Sequence, residues 1–220
     1  MAVYDLEEQE QLDELKTWWK MHGSRLTTAL TVVMLALAGW QGWKWYQRDQ
    51  SIQASALYAG IEKAIVAKDA KQARQLAGEI IDKHPRTSYA ALGALLSARA
   101  QADAGEGKTA QAQLQWAAEN AGDAPLRDLA RLRLAVLMMD DKAYDEALKQ
   151  LAVAPSPAFA PRYGELKGDI LLAQGKKAEA VEAYRAAVAA LEEIRKDDTA
   201  PPHGAYLDVL KLKMEAAGSR

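Results

Sequence analysis

Between residues 26 and 43 the chain carries no charged side chain, an uninterrupted run of 18 positions. As a helix such a run is about 27 Å long. Adding Lys44, Trp45 and Tyr46 brings it to about 31 Å, the thickness of a bilayer's hydrocarbon core. Beyond it the pattern changes. Over 52–216 apolar residues recur at three and four positions, as in LARLRLAVLMM (129–139), where Leu129, Leu132, Val136 and Met139 share one predicted face. Alanine and leucine dominate and β-branched residues are few, so the spacing predicts helices nearly throughout and no strand ladder. Breaks fall at 68–71, 83–87, 104–108, 122–125, 140–143, 154–161 and 174–177, where Gly, Pro and Asp punctuate the pattern. The expected class is all-α: one N-terminal membrane helix, then paired short helices.

The flanks of the apolar run support a membrane span. Trp40, Trp43, Trp45 and Tyr46 crowd one end and Trp18 and Trp19 lie beyond the other, so five of the six tryptophans fall within 18–45. Amphipathic rings favour the headgroup level, and Lys44 and Arg48 can snorkel there. Two rival readings exist. A soluble core helix would not need this aromatic belt. A cleaved signal peptide could end at ALAG (36–39), but its n-region should be short and basic. Here 25 residues come first, and Asp5, Glu7, Glu8, Glu10, Asp13 and Glu14 make them acidic. Lys16, Lys20 and Arg25 on one flank against Lys44 and Arg48 on the other predict a cytoplasmic N-terminus. The expected parts are a tail (1–24), a span (25–47) and a helical domain (48–220). Leu6, Leu12, Leu15, Trp18 and Trp19 give the tail an amphipathic pattern, expected to end at Gly23 with Ser24 capping the span. Ala38 and Gly42, four residues apart, could let a partner helix approach within the bilayer.

The helical domain repeats. Gly168, Ala180 and Tyr184 stand at offsets of twelve and four; so do Ala135, Ala147 and Leu151, and so do Ala100, Ala112 and Trp116. The alanines at 112, 147 and 180 are 35 and 33 apart. This resembles the tetratricopeptide repeat: a small residue, a turn, an alanine, then a large side chain filling the groove between paired helices. Ala73 marks a fourth, more divergent unit, with Ile61 in the place of the small residue. The predicted units are about 52–86, 87–122, 125–155 and 159–194, closed by a capping helix at 204–217 that covers the last apolar face. First helices of such repeats line a concave groove. In this register Ser97, Gln101, Arg162, Glu165 and Asp169 face it as candidate contacts for peptide or protein segments.

Composition narrows the chemistry. The net charge is −2, with −3 in residues 1–25, so neither part offers the basic field that nucleic acid needs. No cysteine is present, which removes disulfides, thiol nucleophiles and thiolate metal sites. ADAGEGKT (102–109) fits the loosest phosphate-loop pattern through Lys108 and Thr109, but a helix precedes it where such a loop needs a strand. His22, His84 and His203 are far apart, and His84, next to Pro85, is expected in solvent. Asp197 and Asp198 read as a solvated helix end. No catalytic residue, cofactor, metal or small-molecule substrate is expected.

The order of parts resembles one bacterial family. MAVYDLEEQEQLDELKTWWKMHG opens the chain, AGWQGWKWYQ closes the span, and YAALGALLSARAQ, LRLAVLMMDDKAYDEALKQL and LKGDILLAQGKKAEAVEAY follow. Together they look like the YfgM-type ancillary subunit of the Sec translocon. The resemblance implies an inner-membrane protein with its N-terminus in the cytoplasm and its repeats in the periplasm. It implies partners in the translocon channel, a membrane-anchored periplasmic prolyl isomerase, periplasmic chaperones and client polypeptides. It also implies a regulatory contact through the tail. A cleaved periplasmic repeat protein in envelope or cell-division coordination is the alternative reading of the residues.

Overall fold

The computed structural model describes residues 3–194, 196 and 204–219. Among them are nine α-helices, one short 3-10 turn and no strand. Contacts divide the chain into two units, Met1–Asp49 and Gln50–Arg220. Asp197, Asp198 and His203 lie outside the described residues, as do the side chains of Asp5, Leu6, Glu7, Glu8 and Glu10.

The first unit holds the part of α1 (Val3–Val66) up to Asp49, which contains the apolar run. The expected break at Gly23 and Ser24 is absent. A lone glycine inside a helix costs only about 1 kcal/mol relative to alanine. The neighbouring hydroxyls bond within the helix and offer no alternative cap: Thr27, Thr28 and Thr31 donate back to carbonyls of the preceding turn at 2.8–3.0 Å. Trp19 lies over Gly23, its indole 3.1 Å from where a β-carbon would stand. Leu30, Val32, Val33, Met34, Leu35 and Leu37 are each more than half exposed. A core helix would bury that face, so the soluble-core reading fails. The helix is long and apolar enough to cross a membrane.

The second unit is a stack of helical hairpins. The end of α1 from Gln50 pairs with α2 (Ala70–Lys83); α3 (Ser88–Asp103) pairs with α4 (Gly107–Asn120), α5 (Ala124–Asp140) with α6 (Tyr144–Leu151), and α7 (Ala160–Ala173) with α8 (Lys177–Ile194). A 3-10 turn (Pro157–Phe159) precedes α7, and α9 (Gly204–Gly218) packs on α8. Successive first helices touch, α3 with α5 and α5 with α7, so they line one side of the stack.

One turn joins every pair. Lys68, Gly105, Lys142 and Gly175 have φ of 57°, 81°, 60° and 77°. Each amide donates to the carbonyl three residues back, and the next amide to the carbonyl five before it, at 2.8–3.0 Å in all four. This is the Schellman ending, which satisfies the last carbonyls of the first helix and reverses the chain. The glycine-containing stretch at 102–109 is therefore a helix-to-helix turn.

Four identical turns fix the repeat register. The fourth residue of each second helix is Ala73, Ala110, Ala147 or Ala180, and all are fully buried. Twelve residues earlier stand Ile61, Ala98, Ala135 and Gly168; four residues later stand Ala77, Leu114, Leu151 and Tyr184; all eight are buried. The expected set Ala100, Ala112 and Trp116 is thus displaced by two residues. Ala112 is exposed, whereas Ala110 is buried. The two flanking positions vary in compensation: Ile with Ala, Ala with Leu, Ala with Leu, Gly with Tyr. A constant interhelical volume is filled by whichever partner is larger. The extreme case needs glycine. A β-carbon on Gly168 would lie 2.5 Å from Tyr184 Cε1, and one on Gly164 would lie 2.9 Å from Ala187 Cβ. Two glycines one turn apart thereby let α7 and α8 approach closely.

The predicted stripe on α5 is shifted too. Leu129, Leu132 and Met139 are half-buried and Val136 is 38% exposed, while Ala130, Leu134 and Ala135 occupy the core. His84 is 5% exposed rather than solvated. Its Nδ1 lies 2.6 Å from Gln50 Oε1 and its carbonyl accepts the Thr87 hydroxyl at 2.9 Å, so it ties α2 to the start of the stack.

Candidate functional site

The two-residue correction relocates the groove. Ser97 and Gln101 are fully buried inside α3, not exposed on its concave face. Gln101 Nε2 donates to the Ser97 hydroxyl at 2.8 Å, and its Oε1 is buried without a partner among the described residues. Moving back two residues carries these positions to Leu95 and Arg99, and the matching positions on α5 are Leu132 and Val136.

Arg99, Leu132 and Val136 indeed line one cleft of about 350 Å³ between α3, α4 and α5. Ala98, Ala102, Leu114 and Leu137 complete its apolar walls, and Arg133 joins Arg99 as its second charge. Small alanines on α3 leave the space open, since a Leu at 98 or 102 would fill it. Arg133 Nη1 donates to the Leu95 carbonyl at 3.3 Å. Burial, then the Arg99 charge, pulls the Arg133 guanidinium below its ordinary value. The Arg99 side chain is largely exposed and its Nε lies 3.9 Å from Asp103 Oδ2, a weak contact.

At the other end of the stack the equivalent positions are already occupied. Lys213 of α9 reaches Glu165 Oε1 at 2.8 Å and both Asp169 oxygens at 2.8 and 2.9 Å. Tyr184 donates to Asp169 at 2.7 Å and Tyr206 to Glu165 at 2.8 Å. Arg162 pairs with Glu165 at 3.0 Å while lying 3.9 Å above the Tyr206 ring. Burial alone would raise the Glu165 carboxyl, but hydrogen bonds from Lys213 and Tyr206, with the Lys213 and Arg162 charges, hold it below its ordinary value. Burial would likewise lower Lys213, and bonds to Asp169 and Glu165 outweigh it and raise the ammonium. Arg162, Glu165 and Asp169 therefore fasten the cap helix. Only Arg162 of the three keeps most of its side chain exposed.

A further set of polar contacts joins α5 to α7 and to the segment before it. Buried Asp128 accepts the Ser156 amide and hydroxyl at 2.8 and 2.6 Å, and Tyr163 donates to the Asp128 carbonyl at 3.0 Å. Burial, then the Asp128 charge, pushes the Tyr163 phenol up to about 12.

In the first unit Ala38 and Gly42 are both exposed on α1, and a β-carbon on Gly42 would meet nothing within 4 Å. Lys44 Nζ sits 3.8 Å from the centroid of the Trp40 ring, and the Trp43 and Tyr46 rings are 5.9 Å apart.

Comparisons with known proteins agree with this layout. The family model for a tetratricopeptide repeat-like domain matches residues 16–217. A protein of Neisseria gonorrhoeae (strain ATCC 700825 / FA 1090) named ancillary SecYEG translocon subunit is 31% identical over 220 residues, which is 98% of this chain and 99% of the relative. The Escherichia coli (strain K12) protein of the same name is 30% identical over 188 residues, 86% of this chain and 90% of the relative. That of Haemophilus influenzae (strain ATCC 51907 / DSM 11121 / KW20 / Rd) is 28% identical over 185 residues, 84% and 90%. No solved structure matches the chain. With its apolar N-terminal helix, its stacked hairpins and a 31% identical relative aligned over 98% of its length, the chain belongs to the ancillary SecYEG translocon subunit family.

Proposed function

We propose that this chain is a non-enzymatic, single-pass inner-membrane adaptor of the Sec translocon. Its N-terminus is cytoplasmic and its repeat domain periplasmic. There it helps pass newly translocated polypeptides to periplasmic chaperones, beside the channel and a membrane-anchored prolyl isomerase. The acidic tail offers a regulatory contact on the cytoplasmic side. The observation that supports this reading best is an open, apolar, charged-rim cleft in a helical stack that follows a helix able to cross a membrane. Anchoring a weak binding surface near the exit raises its effective concentration, so modest affinity suffices.

The native chain has no cysteine, so an introduced one labels uniquely. Val153→Cys, at an exposed position, should react with a membrane-impermeant thiol reagent in cells with a permeabilised outer membrane. Thr17→Cys should react only once the inner membrane is opened, and the chain should co-isolate with the channel in mild detergent. The opposite labelling pattern, or loss of the channel from the isolate, contradicts the proposal.

A further inference from the structure

Two equivalent places in the stack treat charge in opposite ways. Asp169, on α7, follows the small residue Gly168, and its charge is met at 2.8 Å by Lys213 of the cap helix α9. Arg99, on α3, follows the small residue Ala98, and across the cleft α5 offers Val136 and a second cation, Arg133. The fold has built a charge pair at one place and a like-charge facing at the other. Both arginines are exposed at the rim of the apolar walls, and a carboxylate between them would meet two like charges at once. The Leu95 carbonyl takes one Arg133 donor at 3.3 Å, leaving the rest of its fork, and the exposed Asp103 lies 3.9 Å from Arg99 and competes weakly.

We infer that this cleft binds an apolar peptide segment bearing an internal acidic side chain, gripped by Arg99 from α3 and Arg133 from α5. Ala102, Leu132 and Val136 receive the flanking apolar side chains. The volume of about 350 Å³ suits two or three such side chains, not a whole helix. The inference deepens the adaptor reading, which supplies the source of the peptide, by naming the chemistry the adaptor selects.

The test uses the full chain in lipid nanodiscs and a fluorescein-labelled, amidated twelve-residue peptide of alternating leucine and serine with one central glutamate. Anisotropy should show binding at least tenfold tighter than for the peptide with glutamine in that place. Arg99→Gln and Arg133→Gln should each erase the difference, Arg133→Lys should restore part of it, and rising salt should weaken it. Unchanged helical circular dichroism in the variants separates loss of binding from loss of fold. Equal binding of the glutamate and glutamine peptides overturns the inference. So does a preference for a peptide whose only carboxylate is its free C-terminus. Co-isolation of the wild-type chain with the channel is measured in parallel. If the wild-type chain co-isolates yet binds the glutamate and glutamine peptides alike, the cleft assignment fails and the adaptor reading stands; if the wild-type chain never co-isolates, the adaptor reading fails whatever the peptides do.

Discussion

The Tyr184 ring fills the place that a β-carbon on Gly168 would occupy, with three ring atoms 2.5–2.8 Å from it. Tyr184 cannot easily withdraw, because it is buried and its hydroxyl is bonded to Asp169 at 2.7 Å. Gly168→Ala should therefore destabilise the second unit by about 1–3 kcal/mol through overpacking. The third repeat shows the compensated form, Ala135 with Leu151. Adding Tyr184→Leu to Gly168→Ala should recover part of the loss, although the Asp169 hydrogen bond is gone. Urea denaturation of the two variants checks the sign, and a double variant no more stable than Gly168→Ala argues against size compensation.

Left-handed backbone at lysine gives a second prediction. Lys68 and Lys142 hold φ of 57° and 60° where the other two turns use glycine. A side chain in that region is disfavoured by about 1–2 kcal/mol, and glycine's extra entropy returns part of it. Lys142→Gly should stabilise by up to about 1 kcal/mol, and Gly175→Ala should destabilise by a similar amount. Thermal melts of the detergent-solubilised chain decide.

The cap helix should be pH-sensitive at both extremes. Glu165 is held below its ordinary value, so its contribution is present above about pH 4.3 and is lost as pH falls through the lower folded value. Lys213 is raised, so its contribution is present below about pH 10.4 and is lost as pH rises through the higher folded value. Docking of α9 should thus be steady between about pH 5 and 10. Hydrogen exchange, corrected for intrinsic rates, should show α9 losing protection before α4 in acid.

Removing the cation tests the same network at neutral pH. Lys213→Ala leaves Glu165 and Asp169 facing each other without it. The expected cost is about 1–3 kcal/mol, below that of a fully buried pair because Lys213 keeps a third of its side chain in solvent. Selective loss of α9 protection, with α3 to α6 unchanged, is the predicted readout.

The turns between paired helices were readable from the sequence because Gly or Asp stands in or beside each of them. All four intra-pair turns fall where the breaks predict. The register of the second repeat was not readable, because two alanine pairs, Ala98 with Ala110 and Ala100 with Ala112, have the same twelve-residue spacing. Trp116 favoured the wrong pair as the larger filler, yet it sits half-buried between neighbouring clusters while Leu114 fills the hairpin. The slip of two residues carried the groove assignment from Arg99 to Gln101. The contact between Lys213 and α7 was hidden for a different reason: a lysine on a terminal helix looks solvated until the partner carboxylates, 44 and 48 residues away, are placed beside it. The continuity of α1 through Gly23 was likewise invisible, since glycine before serine signals a helix start whenever threonine hydroxyls are not seen to bond backward.

Contact between the cleft and exported chains is the most direct test of the whole account. A photo-crosslinking amino acid at Val136, in cells carrying an exported polypeptide arrested in the channel, should capture that polypeptide, and the same probe at Gly42 should capture the channel. Failure of both crosslinks, with the chain present in the inner membrane at normal level, would contradict it.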